Sequence, residues 1–149
     1  VVFCRSFFAL IPLFLMLVLG AVEFGRAFHV SVTLNSAVRE AGRLAAQDIN
    51  DFVTPGTNPN EKVIDDVRAF ISASGLNGNA VTITISEAEI GSTTPFDLAD
   101  PSNQLRLFRV STSVPYSSVS TFPMTFLANM NVSASIVFRL GRSSLSGGS

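Results

Sequence analysis

Few of the residue types that carry catalysis or covalent cross-links occur in this chain of 149 residues. It has one cysteine, Cys4, so no disulfide can form within the chain. Its single histidine, His29, has no second histidine and no neighbouring cysteine with which to hold a metal, and no serine motif to serve. The sequence also lacks a phosphate-binding loop, a G-x-G-x-x-G motif and a C-x-x-C pair. We therefore expect no enzyme, no cofactor and no metal centre.

Charged residues are also scarce, at 14% of the sequence. Residues 1–50 carry a net charge of +1 and residues 51–149 carry −2, so neither part is basic enough to indicate a nucleic-acid partner. Asp97 and Asp100 lie in a polar segment and are a weak candidate for calcium, because calcium takes about six to eight oxygen ligands. The charge balance thus argues against a nucleic-acid partner and gives little support for a calcium site.

One uninterrupted apolar run dominates the start of the sequence. Residues 7–22 read FFALIPLFLMLVLGAV, a stretch without any charge that as a helix would be about 24 Å long. Extended by its apolar flanks, and with Arg5 and Glu23 at its two edges, the run approaches the roughly 30 Å of a bilayer's hydrocarbon core. We therefore predict a transmembrane segment over residues 1–24. A kink is expected at Pro12, which has no amide hydrogen.

The helix is predicted to continue beyond this run. Apolar residues recur at spacings of four, three, four and three, which places them on one narrow helix face: Val30, Leu34, Ala37, Ala41 and Leu44. Residues 25–50 would thus be an amphipathic extension of the same helix. A continuous helix over residues 7–47 would be roughly 60 Å long. Such a helix is expected to pack against other copies or against its own head.

Several residues on this helix are candidates for helix–helix packing and assembly. The set combines glycines that would let a neighbouring backbone approach with a proline, a phenylalanine and charged residues along the helix: Pro12, Gly20, Glu23, Phe24, Gly25, Arg26, Arg39 and Arg43. Gly42 either belongs to the same set or is a glycine that the helix merely tolerates. Glu23 and Arg26 lie one turn apart, so we expect them to pair with each other or across two copies.

Residues 51–142 are predicted to form a small head, and residues 143–149 a flexible tail. In the head, Asn58 is a candidate N-cap and Pro59 the first residue of a second helix. The residues of that helix predicted to face inward are Val63, Val67, Phe70 and Ile71.

From residue 80 onward the apolar period changes from helical to two, which predicts three strands. Their buried faces would consist of Val81, Ile83 and Ile85 in the first strand, Phe108, Val110, Thr112 and Val114 in the second, and Val132, Ala134, Ile136, Phe138 and Leu140 in the third. The predicted fold class is α+β. A long N-terminal membrane-spanning helix continues into a small head with a second helix and a three-stranded antiparallel sheet, whose apolar face the long helix would cover.

An apolar segment lies between the last two predicted strands. Its large side chains are those of Phe122, Met124, Phe126 and Leu127. They form either a patch for a partner subunit or the membrane surface, or a long connection that folds its side chains onto the core. Periodicity does not decide between these two interpretations.

The segment IPLFLMLVLGAVEFGRAFHVSVTLNSAVREAGRLAAQ resembles the TadE-like family of pseudopilins. Members of that family show an apolar run with an early proline, an E-F-G-R block, and an alanine-rich helix with an A-R-E-x-A-R type sequence. Here these features are Pro12, the block at residues 23–26, and the sequence VREAGR at residues 38–43. The second helix and the strands, including the turn Val114-Pro115-Tyr116, are similar to the family in layout only.

This resemblance implies a structural, non-catalytic minor pilin of a tight-adherence (Flp, type IV-like) pilus or a related secretion apparatus. The implied partners are other pilin or pseudopilin subunits, the inner-membrane pilus assembly machinery, a prepilin peptidase and the lipid bilayer. The implied location is the bacterial inner membrane, with a single pass, the head outside the cytoplasm and incorporation into an extracellular pilus. The family typically carries a glutamate just before the Phe-Ala-Leu stretch, where this chain has Arg5, Ser6 and Phe7, so no peptidase cleavage site is visible.

Two alternatives of other classes remain open at this point. In the first, the apolar run is a cleaved secretory signal and the head is a secreted or periplasmic binding domain, although no clear A-x-A cleavage site occurs. In the second, the chain is a single-span membrane anchor that displays an adhesive head and never enters a filament.

Overall fold

The computed structural model of the protein describes residues 2–46, 56–120 and 129–141, with side chains from residue 10 onward. Two helices and three strands lie in these ranges: α1 (Val2–Ala46), α2 (Pro59–Ala73), β1 (Thr82–Glu87), β2 (Leu107–Pro115) and β3 (Asn131–Arg139). The predicted α+β class, with a long first helix, a second helix and a three-stranded antiparallel sheet, is confirmed.

Helix α1 is a single element of 45 residues, which at 1.5 Å per residue is about 67 Å long. It begins before the predicted start at residue 7 and continues as α-helix through Pro12. Residue 47, where the prediction ended, lies outside the described residues. The apolar run and the amphipathic extension are therefore one helix, as the unbroken sequence pattern indicated.

Helix α2 begins as its sequence predicts. The Asn58 side chain accepts a hydrogen bond from the backbone amide of Asn60, at 2.9 Å, and Pro59 occupies the first helical position. Val63, Val67 and Ile71 are buried, one turn apart on a single face. The prediction for Phe70 is wrong: its side chain is 38% exposed because position 70 lies to one side of this face.

The three strands form an antiparallel sheet in the order β1-β2-β3. Strand β2 is central, and the register places Ile85 and Ile136 on either side of Val110. All the residues predicted for the inner faces of β1 and β2 are buried, and on β3 the inner residues are buried or half-buried while the alternate ones are exposed. The period-two pattern thus fixed both the strands and the face that each one buries.

The head's core lies between this inner sheet face and the two helices. Helix α1 packs on β3 and β2, and α2 packs beside α1 and next to β1. The α1 residues buried in the core are Val30, Leu34, Ala37, Val38, Ala41 and Ala45. Leu44, predicted for this face, is only half-buried, because a helix turns 100° per residue and position 45 comes closer to the centre of the face. The expectation that α1 covers the sheet is confirmed.

A glycine allows α1 and β3 to approach closely. The ring of Phe138 lies where a side chain at Gly42 would begin, so a methyl group there would overlap the ring. Phe138 in turn packs near Phe108, with ring centroids 6.2 Å apart. Gly42 is therefore neither an inter-subunit contact nor merely tolerated, because it accommodates a ring of the head itself.

The connection between β1 and β2 contributes to the core, although its sequence reads as polar. Phe96 and Leu98 are 1% and 2% exposed. The Asn60 side-chain amide holds this segment against α2, donating from Nδ2 to the Phe96 carbonyl at 2.7 Å and accepting from the Leu98 amide at 2.9 Å. Phe96 stacks on Phe108 at 5.5 Å.

Candidate functional site: the apolar helix surface and the helix–head clasp

The first half of α1 exposes apolar side chains on every side. Large residues with between 38% and 74% of their surface exposed are Leu10, Ile11, Leu13, Phe14, Leu15, Met16, Leu17, Val18, Leu19 and Val22. A helix that is apolar all round requires an apolar environment, which is either lipid or other helices. Over Leu10–Ala46, α1 is long and apolar enough to cross a membrane.

Exposed apolar residues continue along one side of α1 beyond this segment. Phe24, Phe28 and Val32 follow at intervals of four and are 74%, 64% and 47% exposed. Residues four apart share a helix face, so the three form one stripe. From Leu10 to Val32 the apolar surface extends over about 33 Å of helix. We refer to Phe24, Phe28 and Val32 as the outer stripe.

One contact between the head and α1 lies at Glu23. This carboxylate is only 3% exposed, and its Oε2 accepts a hydrogen bond from the Tyr116 hydroxyl at 2.7 Å, across 93 residues of sequence. A buried carboxylate is costly unless hydrogen bonds replace the water that it has lost. The Tyr116 hydroxyl supplies one such bond.

Local sequence explains why Tyr116 points at the helix. Pro115 ends β2, and the chain then turns through one short 3-10 segment over Tyr116–Ser118. The Tyr116 amide donates to the Met130 carbonyl at 2.8 Å, and the Ser120 amide donates to the Tyr116 carbonyl at 2.9 Å. The tyrosine is thereby fixed at the end of the sheet nearest the apolar part of α1.

Arg26 makes a second contact with the same turn. Its Nε donates to the Val119 carbonyl, one helical turn beyond Glu23. The spacing within the E-F-G-R block therefore places both charged residues on the side of α1 that faces the head, while Phe24 between them faces away. We call the group of Glu23, Arg26, Tyr116 and Val119 the helix–head clasp.

The clasp changes the acid–base behaviour of its tyrosine. The hydrogen bond from Tyr116 to Glu23 raises the pKa of the phenol above its usual value, and burial and the negative charge of the carboxylate act in the same direction. Deprotonation of Tyr116 would remove the donor and place a second negative charge beside Glu23. The clasp is therefore a contact of the protonated tyrosine.

The other candidate residues of α1 lie away from the head. A methyl group at Gly20 or Gly25 would meet no atom within 4 Å, Arg39 is exposed, and Arg43 donates to the Glu40 carboxylate at 2.6 Å. These residues, with Pro12 and Phe24, are thus placed where a neighbour could reach them.

The proposed patch of Phe122, Met124, Phe126 and Leu127 lies outside the described residues. In the described ranges, no group of three or more histidine, cysteine, aspartate or glutamate side chains is arranged to hold a metal. Asp97 and Asp100, the pair considered for calcium, each accept a backbone amide of the following residues, both at 2.8 Å. Their oxygens thus stabilise turns of their own segment.

Sequence reasoning identified Glu23 and Arg26 but not their partners in the head. Tyr116 is the only tyrosine of the chain, and the proline before it marks the end of a strand. Those two signals single out the turn, but no periodicity in the sequence relates it to Glu23. The contact follows only once the register of β2 places the turn at the end of the sheet nearest the apolar part of α1.

Fold and site together define a class of protein: an apolar helical stalk whose second half forms part of the core of a small α+β head. Residues 7–43 match the family model described as TadE-like protein, which confirms the resemblance carried by the apolar run and the E-F-G-R block. The match includes the α1 half of the clasp and the outer stripe, and ends before α2 and the strands. Neither a curated protein nor a solved structure matches the chain.

Proposed function

We propose that this protein is a minor pilin, or pseudopilin, that contributes structurally to the assembly of a tight-adherence pilus or a related secretion apparatus. The observation that carries the proposal is that the TadE-like match over residues 7–43 includes the exposed apolar surface of α1, from Leu10 to Val22, and the outer stripe. In this proposal the protein catalyses no reaction. Its partners are other pilin subunits, the inner-membrane assembly machinery and the prepilin peptidase.

The exposed surface of α1 supports an exchange of environments during assembly. In the membrane, lipid tails surround the apolar residues between Leu10 and Val22. Moving this helix out of lipid is favourable only if equally apolar helices receive it, with packing and small residues providing the attraction. Gly20 and Gly25, which have open space around them, are the positions at which another backbone can come closest.

The outer stripe extends this surface past the point at which the head begins. Phe24, Phe28 and Val32 face away from the head, so a neighbouring helix can pack on them while the clasp stays closed. The head would then lie at the outside of a bundle of α1 helices. We place the subunit in the bacterial inner membrane before assembly, with its head outside the cytoplasm.

The test uses cells that carry the native pilus genes and compares two substitutions of exposed apolar residues. Phe28→Ser removes the centre of the outer stripe, whereas Ile90→Ser removes a side chain that is 91% exposed on the head, far along the chain from α1. Neither side chain belongs to the core, so both variants should fold.

We expect Phe28→Ser to lower the amount of protein in the sheared pilus fraction and to abolish photo-crosslinks from position 24 to other pilin subunits. Ile90→Ser should leave both unchanged. If the unmodified protein stays in the membrane fraction and crosslinks to no pilin, it is a static anchor and the proposal is wrong. If it is found free of the membrane with its apolar helix removed, it is a secreted domain.

A further inference from the structure

The outer face of the sheet, opposite the helices, carries a regular array of hydroxyl groups. The alternation that buries the apolar residues of each strand turns the intervening residues outward, and most of these are Thr82, Thr84, Ser86, Ser111, Ser113, Ser133 and Ser135. No helix packs on this face in the described parts of the chain. These seven residues share the face with Leu107, Arg109 and Val137, and Ser86 is itself buried, so the hydroxyls form an array over part of the face.

The register aligns these hydroxyls in rows across the three strands. Thr84, Ser111 and Ser135 are direct cross-strand neighbours, and the next row consists of Thr82, Ser113 and Ser133. Neighbours within a row are about 4.8 Å apart, and successive rows are about 6.7 Å apart, from the ordinary dimensions of a sheet.

The segment that follows β1 forms a wall along one side of this flat face, which turns the face into a groove. After β1 the chain folds back, and the Phe96 amide donates to the Ile85 carbonyl at 3.2 Å while Ser86 bridges to Pro95. The Arg109 guanidinium fixes the start of this wall, donating from Nη2 to the Ala88 carbonyl at 2.7 Å. The groove between wall and sheet has a volume of 620 Å³, and Ser92 and Thr93 of the wall add two more hydroxyl residues to its lining.

The lining of the groove favours one kind of ligand. Arg109 is the only charged residue among the described residues that line it, and no carboxylate lines it, which disfavours both cations and polyanions as ligands. Hydroxyl groups both donate and accept, so the rows of hydroxyls match a ligand that also presents many hydroxyls.

We propose that this groove binds a neutral saccharide chain lying across the rows of hydroxyls. Binding would rest on hydrogen bonds alone, because none of the described residues that line the groove carries an aromatic ring for a sugar to stack on. A few net hydrogen bonds correspond to a Kd of about 1 mM. This site does not depend on the pilus assignment, because it uses only the head.

The test measures saturation-transfer NMR on the full chain in lipid nanodiscs, with maltohexaose, cellohexaose and chitohexaose as probes. The variants Ser111→Ala and Ser135→Ala each remove one hydroxyl from the row of Thr84, Ser111 and Ser135, and Ser117→Ala removes an exposed hydroxyl outside the groove. Alanine fits every one of these positions, and equal thermal unfolding of all variants would verify that the fold is intact.

At least one of the three oligosaccharides should bind with a Kd of about 1 mM, and each groove variant should weaken that binding about fivefold, the worth of one hydrogen bond. Ser117→Ala should have no effect. Absence of saturable binding up to about 10 mM would overturn the proposal, as would binding that both groove variants leave unchanged. Binding of a sulfated heparin oligosaccharide alone, lost at about 0.5 M salt, would also overturn it by identifying a purely ionic surface.

Discussion

Breaking the hydrogen bond between Tyr116 and Glu23 should destabilise the head measurably. Tyr116→Phe removes only the hydroxyl and keeps the ring, so its effect isolates the bond of 2.7 Å. Hydrogen bonds to charged groups contribute about 1.5–3 kcal/mol, and here the acceptor is a carboxylate that is 3% exposed and would be left without this donor. We therefore expect Tyr116→Phe to cost about 2 kcal/mol.

The assay is thermal unfolding of the full chain in detergent micelles, followed by circular dichroism. For a chain of this size, a loss of about 2 kcal/mol lowers Tm by roughly 5–10 °C. A double-mutant cycle with Glu23→Ala should give a coupling energy of at least about 1 kcal/mol between the two residues. A Tyr116→Phe variant whose Tm lies within about 1 °C of the unmodified protein would refute the clasp as a stabilising contact.

The same pair of variants separates two roles of Glu23 in assembly. If Glu23 pairs with Arg26 of a neighbouring copy, Glu23→Ala should reduce co-purification of other pilins while Tyr116→Phe does not. If Glu23 acts through the clasp, both variants should show the same reduction. Membrane insertion should be equal in both cases, because neither variant changes the apolar segment between Leu10 and Val22.

Three further outcomes follow from the structure. Gly42→Ala should lower the free energy of unfolding by about 1–3 kcal/mol, because its methyl group would overlap the Phe138 ring. Gly25→Ala, where the helix surface is open, should be neutral or stabilising by up to about 1 kcal/mol. Equal effects of the two variants in chemical denaturation would contradict this. Because the folded-state pKa of Tyr116 is raised, its contribution to the stability of the fold is complete below pH 10.0, the phenol's usual pKa, and is lost as the pH rises through the raised value. Tm should therefore fall at alkaline pH, and Tyr116→Phe should make that fall smaller. Asn60→Ala should cost about 2 kcal/mol by breaking two hydrogen bonds to the segment before β2, and urea unfolding that shows no loss would disprove this link.

The sequence predicted most of the secondary structure because the local patterns were strong. The period-two alternation identified the three strands and their inner faces, and Asn58 and Pro59 located the start of α2. The unbroken run into the E-F-G-R block predicted one long helix. These are short-range signals, and short-range signals can be read without knowing the tertiary structure.

The failures of sequence reasoning concern contacts between distant segments. Phe70 was predicted to face inward and Gly42 was assigned two roles, neither of which it has, because the positions of α2 and β3 relative to α1 decide both. Phe96 lies among polar neighbours in the sequence, and its place in the core depends on contacts with Asn60 and Phe108 that the local pattern does not indicate. For the same reason the sequence indicates only half of the helix–head clasp. Glu23 and Arg26 belong to a sequence motif, whereas Tyr116 and Val119 in the head do not.

Helix α1 supplies a large share of the residues in the head's core, and this has a consequence for biosynthesis. The ribosome makes α1 first, and β3, which packs on it, begins about 85 residues after α1 ends. In a membrane, the strands of the newly made sheet must therefore pack against a helix, α1, whose first half is already held in lipid. The chain that joins α1 to the strands, rather than free diffusion, then determines how often they meet. Any force that pulls α1 out of the bilayer must also act directly on the folded head, because α1 continues into the head's core without a hinge.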